Sequence, residues 1–326
     1  MSPHPHTTSS EESVQLLTVK NLPVETTKQT PPTGPSPTCY GRVKNPESYV
    51  PSAWWKSGFD HLYLQTDGDV VEDPAITLQE IRLLEEEEIV RSIFQTATPA
   101  GAEDTRILDL CCGQGRHLLQ LAELYPHLDL HGHDLSQYLV ELAQSRATSA
   151  NVSNRVQFTM GDSREIPHSD NSFALVMVMG NSFGYFASDN ENKDLLKEIY
   201  RVLRPGGYVV LDIPDGAYLR ENYLARGWEW VNDTMLACRE RELSKDGKRL
   251  VCREVVMSTS KGVIRDQFYA ERLYDLEEIS LLVRECGLVP LEQRGGKNTT
   301  GKDMSKRGED LGMMEHRQFI HATKPL

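Results

Sequence analysis

The stretch Arg106-Ile-Leu-Asp-Leu-Cys-Cys-Gly-Gln-Gly-Arg-His117 decides the fold, because a short apolar run breaks there into a glycine turn and then becomes amphipathic. Residues 107–110 suit a strand that is buried on both faces. Gly113 and Gly115 permit a turn close enough for a ligand to touch the backbone. Leucines recur at helical spacing from Leu118 onward, so the free N–H groups of the helix N-terminus point into the turn. The pattern predicts a strand, a tight turn and a helix around a ligand site.

The residues of this turn narrow the ligand class. Asp109 to Gly115 follow the pattern acid-x-small-x-Gly-x-Gly, with Cys111 where a first glycine often stands. The segment resembles motif I of class I methyltransferases that depend on S-adenosyl-L-methionine (SAM), and it lacks the Gly-x-Gly-x-x-Gly spacing of dinucleotide-binding turns. A dinucleotide needs the helix N-terminus for its pyrophosphate, whereas SAM carries an ammonium, a carboxylate and a sulfonium. An acid at the strand end therefore suits SAM, and Asp109 supplies it.

Two later carboxylates extend the pattern. A doubly wound sheet places its second ligand-binding acid at the end of its second strand, roughly 20 residues on. Asp134 stands there, at the end of the strand predicted over residues 128–134, and can accept both ribose hydroxyls. The sequence of residues 156–162 predicts the third strand. The resemblance implies that Asp162 contacts the adenine amino group. Three acids at three successive strand ends indicate one binding edge.

The fourth predicted strand, residues 173–179, leads into Gly180-Asn-Ser-Phe-Gly-Tyr-Phe186. That segment is similar to motif IV of small-molecule N-methyltransferases such as the glycine/sarcosine type. The resemblance implies that Asn181 holds the methyl acceptor and that Tyr185 lines the same mouth, so these two are the candidate catalytic residues. We predict an α/β fold with a Rossmann-like, doubly wound, seven-stranded mixed sheet.

The N-terminal part divides into a leader and a cap. Residues 1–44 are rich in Pro, Ser and Thr, a composition that buries too little apolar surface to offset the entropy of ordering, so disorder is expected. Docking of residues 16–19 on the domain is the alternative. Residues 45–100 are predicted to form a helical cap, because two tryptophans and further aromatic residues crowd into the segment 54–64. In the resembled family such a cap carries a tyrosine near the methionyl end of SAM, and Tyr63 is the candidate; otherwise these aromatics merely pack against the sheet.

Residues 101–326 are predicted to form the SAM-binding domain, with an antiparallel insertion at 227–273. Alternating apolar and polar residues in the insertion, with Lys245-Asp-Gly247 and Lys261-Gly262 as hairpin turns, indicate strands. Class I methyltransferases frequently place a substrate lid at this point of the chain, and the resemblance suggests acceptor contacts from the lid. The alternative is that its outward residues simply solvate a sheet.

The resemblance thus implies two sets of site residues. The residues expected to bind SAM are Tyr63, Asp109, Cys111, Gly113, Gly115, Arg116, Asp134, Leu135, Asp162, Ser163 and Met179. Those expected to contact the acceptor are Asn181, Trp228, Trp230, Tyr269 and Arg272. The expected reaction is in-line methyl transfer to a nitrogen or oxygen of a small metabolite. Because a sulfonium donor is already activated, the enzyme mainly has to align the reactants in a dry pocket.

Composition restricts the partners. Of 326 residues, 39% are hydrophobic and 25% charged, as in an ordinary soluble domain, and no run of about 18 apolar residues predicts a membrane span. A net charge of −13 argues against a nucleic-acid partner, which requires clustered Lys and Arg. The six cysteines have no metal-ligand spacing, so we expect no metal site and a reduced, cytoplasmic protein. The expected partner is a small methyl acceptor, and a homodimer is left open.

Two other function classes stay compatible with these motifs. One is a SAM-binding protein that catalyses a cyclisation or rearrangement, in which the sulfonium only supplies positive charge; it would form no S-adenosylhomocysteine from its true substrate. The other is an inactive interaction module that keeps the fold, although a degenerate site should have lost some of its acids and glycines. If the protein is a methyltransferase, its leader and its lid suggest a role in specialised metabolism. This inference is an analogy at the level of the fold.

Overall fold

The apolar run ahead of the glycine turn forms β1 (Arg106–Leu110), a central strand in the computed structural model of this protein. The structure describes residues 39–96, 106–291 and 316–326. β1 pairs in parallel with β2 (Asp129–Asp134) on one side and with β4 (Phe173–Val178) on the other. Every residue of β4 is buried, which explains why its sequence is continuously apolar instead of alternating.

Seven strands form the main sheet in the order β10-β11-β5-β4-β1-β2-β3. The outer strands are β3 (Val156–Met160), β5 (Leu203–Pro214), β10 (Val289–Pro290) and β11 (Arg317–Thr323). β11 runs antiparallel to both β5 and β10, whereas the strands from β5 to β3 are parallel. The predicted Rossmann-like fold with a seven-stranded mixed sheet is confirmed.

Helices cover both faces of this sheet. Because successive residues of β1 point to opposite faces, Leu108 and Leu110 pack in one apolar layer and Ile107 in the other. The first layer holds α7 (Asp189–Val202) and α9 (Leu276–Glu285). The second holds α3 (Pro74–Glu86), α4 (Glu88–Gln95), α5 (Arg116–Leu124) and α6 (Gln137–Ser149). Within the described ranges, no helix has both the length and the apolar character that crossing a bilayer requires.

Short helices precede α3 in the segment that we predicted as a cap. They are two 3-10 helices (Pro46–Tyr49 and Trp54–Lys56), α1 (Tyr63–Thr66) and α2 (Gly68–Val71). One further short helix, α8 (Gly216–Asn222), follows β5. Residues 1–38 of the predicted leader and residues 97–100 of the predicted cap lie outside the described residues.

The insertion forms a second, four-stranded antiparallel sheet, which we call the lid sheet. Its strands, in spatial order, are β6 (Arg226–Asn232), β7 (Met235–Leu243), β8 (Arg249–Ser258) and β9 (Gly262–Arg272). One face contacts residues 54–67: Tyr269 packs on Trp54 with ring centroids 5.3 Å apart, and Arg239 pairs with Asp67 at 3.2 Å. We call this the inner face of the lid sheet.

Gly115 ends the glycine turn with φ +75°, and a Cβ there would lie 2.8 Å from the Phe158 ring and 3.2 Å from Ala143 Cβ. We expect Gly115→Ala to lower the free energy of unfolding by about 2–4 kcal/mol, from left-handed backbone strain plus overpacking. Gly247→Ala is the control, since φ is +69° there and no described atom lies within 4 Å of the added Cβ. Urea denaturation measures both losses; equal losses would contradict the packing argument.

Candidate functional site

A pocket of about 740 Å³, counted with its open mouth, lies at the carboxyl ends of the first parallel strands. The predicted SAM residues that line it are Tyr63, Cys111, Gly113, Asp134, Leu135, Asp162 and Ser163. Tyr185, from the predicted acceptor loop, lines it as well. The structure thus brings the turn after β1 together with the residues that follow β2, β3 and β4.

Asp134 is fixed by the glycine turn. Its Oδ2 accepts the backbone N–H of Gly113 at 2.8 Å, and its Oδ1 accepts that of Ser136 at 2.8 Å. Burial raises the pKa of Asp134, and these backbone hydrogen bonds oppose the rise. With these hydrogen bonds made, the Asp134 side chain still lines the pocket. The arrangement suits acceptance of two neighbouring hydroxyl groups, as predicted for the SAM ribose.

Asp109 lies beneath the pocket and does not line it. The residue is 1% exposed, and neither carboxylate oxygen makes a hydrogen bond to any described residue. His117 Nδ1 is 3.8 Å from Asp109 Oδ2. Burial raises the pKa of Asp109 to about 8, against the attraction of Arg116. A buried carboxylate without a hydrogen-bond partner next to the glycine turn fits the ammonium of SAM, which it would hold by charge.

Asp109 makes the stability of the ligand-free protein depend on pH. Its folded pKa, about 8, exceeds the usual 3.8, so between these values the native state binds more protons than the unfolded state. The free energy of unfolding should therefore fall as pH rises from about 4 to 8. We expect Asp109→Asn to remove most of this fall, because an amide does not titrate and so binds no proton in either state.

Urea unfolding at pH 5.5 and pH 8.5 measures this difference. Asp194→Asn is the control, because the Asp194 side chain is 53% exposed and pairs with Lys197 on the surface. If wild type and Asp109→Asn lost the same free energy between the two pH values, Asp109 would be ionised in the folded protein and the argument would fail.

Asp162 and Ser163 form the wall that follows β3. Arg164 Nη2 donates to Asp162 Oδ2 at 2.6 Å and Arg164 Nε donates to Asp162 Oδ1 at 3.0 Å, so Arg164 holds the pKa of Asp162 below its usual value. The Arg164 guanidinium also lies 4.5 Å from the centre of the Phe186 ring. Ser163 Oγ is 3.3 Å from Cys111 Sγ, which joins this wall to the glycine turn. Recognition of the adenine amino group by Asp162 stays a prediction.

Sequence reasoning missed half of the pocket wall. The lining residues not predicted are Trp55, Phe59, Ser136, Leu139, Ser182, Gly184, Phe186 and Leu195. Trp55 and Phe59 belong to the aromatic-rich segment, whose density was the signal available. Leu139 and Leu195 lie on helices, where an apolar side chain follows the same spacing whether it faces the core or a ligand.

Several predicted cofactor residues lie behind the pocket wall instead of lining it. Gly115 packs against Phe158, and Met179 is buried in the apolar layer of α3 to α6. Arg116 pairs with the buried Glu80 and donates to Thr77 Oγ1 at 3.0 Å. Their direct contact with SAM stays a prediction.

Some of the predicted acceptor residues lie next to the pocket, and others lie away from it. Asn181 is buried with φ +60°, next to the lining residue Ser182. Trp228 and Trp230 are 61% and 52% exposed on the edge strand β6, because the register pairs Trp228 with Cys238 on the face opposite Tyr269.

Arg272 is buried in ion pairs with Asp189 and Glu278, at 3.3 and 2.9 Å, so its charge is used to join β9 to α7 and α9. Tyr269 lies under the lid sheet against Trp54 and does not line the pocket itself. Trp228, Trp230 and Arg272 therefore do not line this pocket, and their contact with the acceptor stays a prediction.

A buried ionic cluster supports the pocket from below, and we call it the Glu80 cluster. It comprises Glu80, Arg116, His117, Asp212 and Arg317. Glu80 accepts from Arg116, from His117 Nε2 at 2.9 Å and from Arg317 Nη2 at 2.8 Å. Arg317 Nη1 donates to Asp212 Oδ2 at 2.5 Å, and that same oxygen accepts the Gly180 N–H at 2.8 Å. The cluster therefore connects α3 and α5 to β11, β5 and the start of the acceptor loop.

Comparison with known proteins agrees with this geometry. Residues 107–207 match the family model described as a methyltransferase domain. The chain is 26% identical to the putative methyltransferase YqeM of Bacillus subtilis over 195 residues, 57% of this chain and 74% of the relative. It is 37% identical to a demethylmenaquinone methyltransferase of Lactiplantibacillus plantarum over 110 residues, 33% of this chain and only 45% of the relative.

A solved structure extends the likeness beyond the matched domain. The sugar N-methyltransferase KedS8 from a Streptoalloteichus species has a TM-score of 0.53 to this protein, over 90% of this chain and 98% of that chain, at 18% identity. At that identity the likeness shows a shared fold.

Proposed function

We propose that residues 107–207, which match a methyltransferase domain model, form a class I SAM-dependent methyltransferase domain, and that the protein methylates a nitrogen or oxygen of a small metabolite by in-line displacement. The observation that carries the proposal is the composition of the pocket. Its lining combines two carboxylates, Asp134 and Asp162, with the rings of Phe59, Tyr63 and Tyr185.

The carboxylates and the rings suit the two reactants. Bound SAM would supply an electrophilic methyl group on a positively charged sulfur. Asp134 would hold the ribose hydroxyls and Asp109 the ammonium, which fixes the donor through contacts remote from the reacting carbon. The aromatic rings exclude water from the space where the acceptor would approach.

Tyr185 packs among these rings. Its ring lies 4.9 Å from Trp54 and 5.6 Å from Phe59, so three rings support one another. Burial raises the pKa of Tyr185 well above its usual value, so the hydroxyl stays neutral and can donate a hydrogen bond to the acceptor. Asn181 precedes the lining residue Ser182 and remains the second candidate for holding the acceptor.

The likeness to a protein described as a sugar N-methyltransferase, which includes nearly its whole length, supports a small polar metabolite. Specialised metabolism is part of the proposal on the same analogy.

Calorimetric titration with SAM and S-adenosylhomocysteine, followed by an assay for S-adenosylhomocysteine release over a panel of amines, phenols and carboxylates, tests the proposal. Binding with release of S-adenosylhomocysteine supports it and begins to identify the acceptor. Binding without release from any panel member favours a SAM-binding protein with a non-methylating reaction. Absence of binding would overturn the assignment of the pocket.

A further inference from the structure

The end of β9 joins the lid sheet to the pocket. The Arg272 N–H donates to Gly184 O at 2.8 Å. Arg249 Nη1 donates to Phe186 O at 2.6 Å, and its Nη2 donates to Ala270 O at 2.7 Å. Residues 184–186 line the pocket, so these bonds hold the pocket mouth against Ala270 and Arg272. Glu271 lies between these two attachment points.

The Glu271 side chain shares the inner face of the lid sheet with Tyr269, because the two residues are two positions apart on one strand. Tyr269 contacts Trp54, and Trp54 contacts Tyr185, which lines the pocket. Arg249 Nη2 donates both to Tyr185 O at 3.3 Å and to Ala270 O at 2.7 Å, so the backbone of Tyr185 is joined to the strand next to Glu271. Trp54, Tyr185, Tyr269 and Glu271 therefore form one group, which we call the acceptor chamber.

Glu271 differs from the other acids near the inner face. Glu254 and Asp67 both pair with Arg239, at 2.8 and 3.2 Å, and Asp60 pairs with Arg265 at 2.6 Å. Glu271 makes neither a hydrogen bond nor an ion pair within 4.0 Å to any residue that the structure describes. The side chain is half-buried, and a partly desolvated carboxylate without a counter-ion gains from a cationic partner.

Three charged groups lie near Glu271, and neither arginine among them forms an ion pair with it within 4.0 Å. They are Arg241 on β7, Arg249 on β8 and Asp67 after α1. Arg249 is engaged by backbone carbonyls, and Arg241 Nη1 donates to Leu224 O at 3.4 Å. Burial raises the pKa of Glu271 to about 7 despite both arginines. The indole N–H of Trp54 also has no hydrogen-bond partner among the described residues.

We propose that the methyl acceptor is an amine and that Glu271 is the catalytic residue that binds its nitrogen and removes its proton. This inference rests on the proposed methyltransferase function. The carboxylate pairs with the ammonium form of the acceptor, and the rings of Trp54, Tyr185 and Tyr269 favour a cation beside them. One proton passes from nitrogen to Glu271, which leaves a neutral amine and a carboxylic acid. The nitrogen lone pair then forms the N–C bond while the C–S bond breaks, and the sulfur keeps that electron pair.

An aliphatic alcohol does not fit this chemistry. A carboxylate is far too weak a base to deprotonate a hydroxyl of that kind, and a neutral hydroxyl gains little from a negative partner or from aromatic faces. A phenol is acidic enough to compete, so the test includes one.

The test measures binding of small probes to the full chain saturated with S-adenosylhomocysteine, by calorimetry, with benzylamine, benzyl alcohol and 4-methylphenol. Wild type is expected to bind benzylamine at least about tenfold more tightly than the other two, the factor that corresponds to about 1.4 kcal/mol. Glu271→Gln is expected to abolish the preference, and Glu271→Asp to reduce it. Glu242→Gln, which makes the same change in charge at a position paired with Val251 on the opposite face, should keep it.

The result distinguishes this inference from the proposed function. S-adenosylhomocysteine affinity should be unchanged in all three variants, which shows that the pocket is folded. If wild type shows no preference for benzylamine, or prefers 4-methylphenol, the amine assignment is overturned. If Glu271→Gln keeps the preference, Glu271 is not the residue that binds the nitrogen. Failure of wild type to bind S-adenosylhomocysteine would instead contradict the proposed function.

Discussion

Replacement of Glu80 with glutamine is expected to lower the free energy of unfolding by about 3–5 kcal/mol, because it leaves buried arginines without their shared counter-ion. Glu80 and Arg317 are both 0% exposed, and Arg116 depends on the same carboxylate. Urea denaturation at pH 7 measures the loss. Glu86→Gln, on the exposed side of the same helix, is the control and should cost less than about 0.5 kcal/mol.

The pH dependence of this loss follows from the Glu80 cluster. Burial alone would raise the pKa of Glu80, but Arg116 and Arg317 hold it well below the usual 4.5. A depressed folded pKa stabilises the protein above the unfolded value, and the stabilisation is lost as pH falls through the folded pKa. The difference between wild type and Glu80→Gln should be complete at pH 7 and shrink below about pH 4.5. A difference independent of pH would mean that packing, not charge, causes the loss.

Replacement of Asp134 with alanine is expected to weaken SAM binding by about 1.5–3 kcal/mol, roughly 10–150-fold, the range for hydrogen bonds to a charged group. The variant removes the predicted acceptor of both ribose hydroxyls. It also removes the acceptor of the Gly113 and Ser136 N–H groups, so the glycine turn loses a stabilising hydrogen bond. Calorimetry with SAM measures the change.

Asp134→Asn separates the two effects, because the amide keeps one acceptor oxygen for the turn but loses the charge. Asp129→Asn is the matched control at the other end of β2, where the carboxylate pairs with Arg106 at 2.9 Å. It should leave SAM affinity unchanged. Unchanged affinity in Asp134→Ala would show that the end of β2 does not hold the nucleoside.

Two strands of the parallel sheet, β1 and β4, were predictable from their apolar sequences, since β4 is apolar at every position and β1 at every position between Ile107 and Leu110 except Asp109. The pocket lining begins at Cys111 directly after β1, and at Ser182 in the loop after β4. In such a sheet the carboxyl ends of parallel strands meet at one edge, so Asp134 and Asp162 could be assigned to one site from their order alone. The start of β5 at Leu203 was not predictable from the sequence. Leu203 pairs with Phe173 across a β-bulge, several residues before the apolar run that begins at Tyr208.

Other features depend on contacts between distant parts of the chain. Glu80 is an ordinary helical glutamate in sequence, and its burial follows from Arg317, 237 positions away. The spacing of Trp228 and Trp230 predicts a strand, and both residues lie on one. Which face of that strand is buried depends on what packs against the lid sheet, and the sequence of the strand does not show this. Arg272 was predicted to contact the acceptor because it is basic and in the lid, whereas Asp189 neutralises it from α7.

The contacts of Arg249 have a consequence for how acceptor specificity changes during evolution. Arg249 reaches the carbonyl oxygens of Tyr185, Phe186 and Ala270, and none of these acceptors belongs to a side chain. These hydrogen bonds between the lid sheet and the pocket therefore do not depend on which side chains occupy positions 185, 186 and 270. A library that varies positions 241, 269 and 271 while keeping Arg249 would change the side chains near the proposed acceptor and leave these backbone attachments intact.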